Sequence, residues 1–284
     1  MLDYANRFAA ALCLALACLF GVQKTAYAAS FTLQPADAYG PVSVLIKGQI
    51  QAGDFDKFRA FLLLPGRLRA FANYVWLDSV GGNLAEAMKF ANLFEKSSAS
   101  VVVGPDGKCY SACFMMFASG VDRWLYAFGE LGVHQVTVNL TAGSTEPDKS
   151  ARENLTQAVT NNASAYLAAQ GIPRTLVSKM QETPASEMFI INTLMIKREG
   201  WQRIMALQPK FLDAVELACG KQPIDASRLP AAPQTPWGTC KISYQTQKTK
   251  EFMTSELEAL KAGQLSLLFL PGKLQEAQLA AGQL

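Results

Sequence analysis

The sequence predicts an α/β fold in which helices cover a mainly parallel sheet. Short apolar runs rich in β-branched residues alternate with stretches of helical periodicity from Val42 onward. A glycine pair, Gly81-Gly82, stands at one strand-to-helix junction, and Ser111 opens an apolar helix at a later one. Half of the 284 residues are hydrophobic and 17% are charged, a globular balance with ample chain for a core.

The elements follow in order. Residues 42–50 (VSVLIKGQI) read as a strand. Residues 55–64 carry helix periodicity and stop at Pro65-Gly66. A buried strand over 74–77 runs into the turn Asp78-Ser79-Val80-Gly81-Gly82 and a helix over 83–96, where Leu84, Ala87, Met88, Ala91 and Phe94 form one stripe. Further strands are expected over 100–103, 124–128 and 132–140, with a helix over 111–118. One long helix covers 147–169, a short one 174–180, and a helical stretch 193–205. Three segments result: a leader over 1–28, the α/β domain over 29–207, and a small, partly helical or mobile extension over 208–284.

The leader has the form of a secretory signal. Arg7 precedes an apolar run from Phe8 to Val22, and Ala26-Tyr27-Ala28 is a small-x-small cleavage site. The run is shorter than the roughly 20 residues a bilayer span needs, so membrane attachment is expected only if the leader stays uncleaved. A periplasmic or secreted protein follows. Removing the leader leaves four cysteines, and in an exported chain an even number points to disulfides. Cys219 and Cys240 flank a Pro-rich loop and form the expected bridge. Cys109 and Cys113 straddle Ser111, and either pair or act as small apolar fillers. A net charge of +3 with no basic block gives no nucleic-acid surface. With one histidine and no Cys-x-x-Cys pair, no metal site is expected.

That histidine, His134, is the only imidazole able to activate a serine hydroxyl, which is a poor nucleophile near its free pKa. Ser111 at a helix start also fits an ordinary N-cap. The glycine turn fits either an oxyanion hole, with amides facing a cavity at a helix N-terminus, or a tight turn that needs glycine for its dihedrals.

Gly81-Gly82, then Ser111-Ala112-Cys113, then Gly120-Val121-Asp122-Arg123 and Gly132-Val133-His134-Gln135 occur in the order that resembles the Clp protease proteolytic subunit and its crotonase-superfamily relatives. The resemblance spans roughly 42–200 and extends to exported bacterial proteins of this fold that carry Cys-x-Ser-Ala-Cys. It implies a ClpP/crotonase-like spiral of repeated ββα units. It also implies a serine peptidase with Ser111 as nucleophile, His134 as base and Glu182 as the orienting acid, where the family has aspartate. The amides of Ala112 and of Gly81 or Gly82 would form the oxyanion hole, with Val80 standing where the family has proline. A peptide or unfolded-protein substrate would add as a strand beside Gln135, Val136 and Thr137. No cofactor is implied, and export removes the ATP-driven unfoldase as partner. Clp subunits form rings aided by a long helix after the histidine strand, and the helix over 147–169 occupies that place. Its polar composition argues mildly against burial in a ring, so a homo-oligomer is one open expectation. The competing readings are a catalytically silent domain that binds peptides or a protein partner, an acyl-CoA enzyme, which export disfavours, and a serine–lysine dyad.

Overall fold

A computed structural model of the chain describes residues 28–38, 40–137, 149–222 and 235–283. The leader expected over 1–28 lies outside them except for Ala28, as do residues 138–140 of the expected strand and the start of the long helix. Strands β1 (Ser30–Gln34), β2 (Ser43–Lys47), β3 (Val75–Asp78), β4 (Ser100–Val103) and β6 (Asp122–Leu125) form one sheet in the order β1-β2-β3-β4-β6. Only β1 is antiparallel, and the pairs β2–β3, β3–β4 and β4–β6 are all parallel. A second sheet has the order β5-β7-β8, from Lys108–Tyr110, Glu130–Val133 and Phe189–Ile191. In it β5 and β7 run parallel, and β8 closes the far edge antiparallel. A bridge between Ser79 and Cys109 joins the two sheets. This is the mixed α/β, mostly parallel architecture that the alternation predicts.

Helices α1 (Asp54–Leu62), α2 (Arg67–Asn73), α3 (Leu84–Lys96) and α4 (Ala112–Ser119) supply the crossovers that parallel strands require. Helix α3 buries Ala87, Phe90, Ala91, Leu93 and Phe94, and α1 turns Phe55 and Phe58 onto the same surface. The Phe55–Phe90 and Phe58–Phe90 ring centroids are each 5.2 Å apart. Every side chain of α4 is buried, so this helix runs through the centre of the core. Full burial of each such ring is worth about 1.5–3 kcal/mol.

Helices α5 (Lys149–Ala169), α6 (Arg174–Glu182) and α7 (Thr193–Arg198) lead to a 3-10 turn over Gln202–Met205. Arg123, wholly buried on β6, gathers these ends. Its guanidinium donates to the carbonyls of Ala118 and Gln170 at 2.9 Å, Arg203 at 3.1 Å and Ala206 at 3.2 Å. Burial brings its pKa down to about 10, which still leaves it charged at neutral pH.

From residue 208 the chain forms α8 (Pro209–Cys219), α9 (Pro236–Lys261) and α10 (Leu274–Ala281). Met253, Leu268, Phe269, Ala277 and Ala280 of this region share the main core. Helix α9 is also fixed by polar contacts, with Lys241 on Asp122 at 2.5 Å and the Thr249 hydroxyl donating to the Ser97 carbonyl at 2.8 Å. No helix among the described residues is long and apolar enough to cross a membrane.

Candidate active site

The glycine turn is built against the serine. Ile50 donates to the Gly81 carbonyl and Asn83 donates to the Ile50 carbonyl, each at 2.8 Å, so the Gly82 amide between them faces the opposite side. Gly81 has φ 90° and Gly82 has φ 137°, dihedrals that side chains rarely adopt. A Cβ on Gly81 would lie 2.5 Å from the Tyr110 carbonyl oxygen and 2.8 Å from Ser111 Cβ. A Cβ on Gly82 would lie 2.1 Å from the Ile50 oxygen. Glycine is therefore required for close approach as well as for dihedrals. Asn83 starts α3, its side chain accepting from the Glu86 amide at 2.9 Å.

Ser111 is the pivot between β5 and α4. Its amide donates to Gly132 at 2.8 Å, and its backbone is held at φ 54°, ψ −122°. A non-glycine residue there is strained, and such conformers persist only where the surroundings fix them. Ser111 occupies the N-cap position, yet its side chain makes no capping hydrogen bond. The hydroxyl instead meets His134 Nε2 at 2.7 Å. The ordinary N-cap explanation therefore fails on geometry.

His134 directly follows β7, whose pairing with β5 brings it alongside the serine. Burial pushes its pKa below the usual 6.5, leaving a neutral ring at pH 7. Its other nitrogen, Nδ1, is buried and has no hydrogen-bond partner among the described residues.

Glu182 is not that partner, which corrects the expectation from the sequence. Its carboxylate pairs with Lys179 Nζ at 2.7 Å, and its side chain is 60% exposed. The end of α6 meets the histidine segment through main-chain atoms instead. Thr183 O accepts the Gln135 amide at 2.9 Å, and Gln181 O accepts the Gln135 side chain at 2.8 Å. The Thr183 hydroxyl bonds back to Lys179 O at 2.7 Å and so does not reach the ring either.

The strand expected over 132–140 ends at Val133. Beyond it the Gln135 amide turns to Thr183, so the ladder does not continue, and residues 134–137 are irregular. Gln135, Val136 and Thr137 nonetheless line a cleft of about 440 Å³, counting its open mouth, with Ser111, His134 and Met180 on its other walls. Gly82 and Ala112 also border it, and among the described residues neither amide donates to a protein acceptor. The Gly81 amide is engaged by the Ser79 hydroxyl at 3.1 Å. Of the two glycines, among the described residues only Gly82 therefore offers a free donor, and Ser79 is a contributor that nothing in the sequence singled out.

Both cysteine pairs are closed, Cys109 to Cys113 and Cys219 to Cys240. Beside the serine, the Tyr110 hydroxyl donates to Glu130, and burial with that carboxylate lifts the phenol far above its usual range.

Comparison with family models and with curated proteins finds no match. Solved structures do match. A ClpP1 variant from Listeria monocytogenes is similar at 17% identity and TM-score 0.42, over 55% of this chain and 85% of that one. A membrane-bound stomatin-specific protease, 1510-N, is similar at 16% identity and TM-score 0.42, over 64% of this chain and 87% of that one.

Proposed function

We propose that the protein is a serine hydrolase acting by acyl transfer through a Ser111–His134 dyad, with peptides or unfolded segments as substrates. The observation that carries this reading is the 2.7 Å contact between Ser111 Oγ and His134 Nε2, beside two unengaged amides. In the first step Nε2 takes the hydroxyl proton as Oγ bonds to the substrate carbonyl carbon. The amides of Gly82 and Ala112 receive the carbonyl oxygen as it becomes negative. The imidazolium then gives its proton to the leaving group, which departs with the electron pair of the broken bond. Water repeats the sequence on the acyl-serine and frees the acid. For Nε2 to be basic, the ring proton must sit on Nδ1, which has no acceptor among the described residues. Among the described residues no carboxylate meets the ring, and what positions it there is its burial and Gln135's anchoring to Thr183.

Two disulfides favour an oxidising compartment, in keeping with the secretory leader read from the sequence. No nucleotide is needed for the steps above. A fluorophosphonate should label the parent protein, and Ser111→Ala should abolish the label. Label persisting on the alanine variant would remove Ser111 as nucleophile.

That Nδ1 has no partner among the described residues also favours a second reading, a domain that binds peptides or a protein partner without turning them over. Peptide binding unchanged by Ser111→Ala, in a parent protein that neither labels nor hydrolyses, would select it.

A further inference from the structure

We propose that the Cys109–Cys113 disulfide is the positioning element of Ser111, taking the place of the helix cap that this serine gives up. The proposal rests on reading Ser111 as the nucleophile. A serine at the N-cap ordinarily satisfies an amide of the first helical turn with its own oxygen. Here that oxygen is committed to His134, and no side-chain cap replaces it. The Ala112 amide, which a different start to the helix would consume, donates to no protein acceptor among the described residues, and Ala112 lines the cleft. Helix α4 thus begins without the usual lock at the one point where its entry must be fixed.

Upstream of the pivot, β5 is held from both sides. Ser79 donates to Lys108 O at 2.6 Å and accepts from Tyr110 N at 3.0 Å, and β7 pairs along the other edge. Downstream, the entry of α4 is tied by Phe114 N on Ser111 O at 2.9 Å and by the bond from Cys113 back to Cys109. The two Cα atoms are 5.1 Å apart, with Ser111 midway between them in sequence. The covalent ring therefore fixes the strand-to-helix angle across a residue whose dihedrals are unfavourable on their own. Both cysteines are fully buried, so this bond acts as a permanent fixture.

The test compares the mature parent protein with C109A/C113A and C219A/C240A. It reads the rate of fluorophosphonate labelling, thermal unfolding, and the NMR titration of the molecule's one imidazole. Freeing the pivot is expected to slow labelling on the order of tenfold or more, since a strained conformer is depopulated once its constraint goes. It should also raise the His134 titration toward 6.5 as the ring loses Ser111 and gains water. C219A/C240A should unfold at lower temperature while labelling and titrating as the parent does. A purely structural bridge would lower the unfolding temperature of C109A/C113A and leave its labelling rate alone. That result overturns the proposal, and so does equal slowing in C219A/C240A. If the parent itself fails to label, the nucleophile assignment falls separately. The titration then decides alone: a shift confined to C109A/C113A supports positioning of Ser111, and an unmoved curve refutes it. C109V/C113V, which better fills the vacated volume, is read in the same way should the alanine pair not fold.

Discussion

Gly82→Ala isolates the contribution of the turn to the site, because its cost can be worked from two distances and a dihedral. The added Cβ would lie 2.1 Å from Ile50 O and 3.0 Å from Ile50 C and N, in a backbone held at φ 137°. Ordinary contact begins near 3.4 Å, so the turn must withdraw by more than 1 Å from the edge of β2's extension. Those atoms are backbone and cannot swing aside. A displacement of about 1 Å in a catalytic group costs about a hundredfold, and loss of one oxyanion donor costs about 10²–10³-fold, or roughly 2.7–4 kcal/mol of barrier. The expected result is a fall of that size in kcat/KM on an activated ester, with a parallel fall in fluorophosphonate labelling. Gly53→Ala is the control: its φ is 85° and nothing lies within 4 Å of the added carbon. It should lower stability by about 1–2 kcal/mol and leave turnover unchanged. A folded Gly82→Ala protein working within threefold of the parent would refute the assignment of this amide, and equal loss in Gly53→Ala would reduce the effect to general destabilisation.

Glu182→Gln should change kcat/KM by less than twofold, because its carboxylate is held by Lys179 at the surface; a hundredfold loss in a hydrolysis assay would restore it as the orienting acid. The acid limb of the pH–rate profile should have its midpoint below 6.5, since burial favours the neutral base, and a midpoint above 6.5 would contradict the described environment of His134. The linkage has the same sign. The unfolded state holds the proton to higher pH, so this group's contribution to stability is intact above 6.5 and is lost as pH falls through the folded value, which chemical denaturation across pH 4–7 would show. Opening the Cys219–Cys240 bridge, whose cysteines are 21 positions apart, should cost about 3 kcal/mol by the chain-entropy relation, or roughly 6–12 °C in calorimetry. An unchanged melting temperature would mean that this loop is already constrained without its bond.

The parts legible in the sequence were those with a local signature. Alternating apolar runs and helical stripes gave β2, β3, β4 and α3, because parallel strands buried on both faces and an amphipathic helix each leave a pattern. The glycine pair and Ser111 stood out as residues that a strand-to-helix junction uses sparingly, and it was the family resemblance of their order with His134 that linked them. What stayed hidden was set by neighbours. Strand β5 is only three residues long behind a Gly-Pro-Asp-Gly turn and exists because Ser79 and β7 pair with it. The end of β7 depends on Thr183 taking the Gln135 amide, a contact distant in sequence. The family resemblance places a carboxylate, Glu182, near the right segment without saying which way it points, and its side chain turns to Lys179 instead. Helix α9 escaped because few of its residues are buried, Trp237, Thr249 and Met253 among them.

Among the described residues the Arg123 guanidinium hydrogen-bonds only to main-chain oxygens of the segments it joins. A side chain that grips carbonyls is indifferent to which residues carry them. Arg203 and Ala206 should consequently accept changes of residue identity as far as this grip is concerned, whereas inserting or deleting a residue beside either would shift the carbonyls that Arg123 holds. Gln170 differs, because its buried side chain also bonds Glu95 and Gln208. In this part of the molecule, spacing constrains the grip more strictly than side-chain identity does.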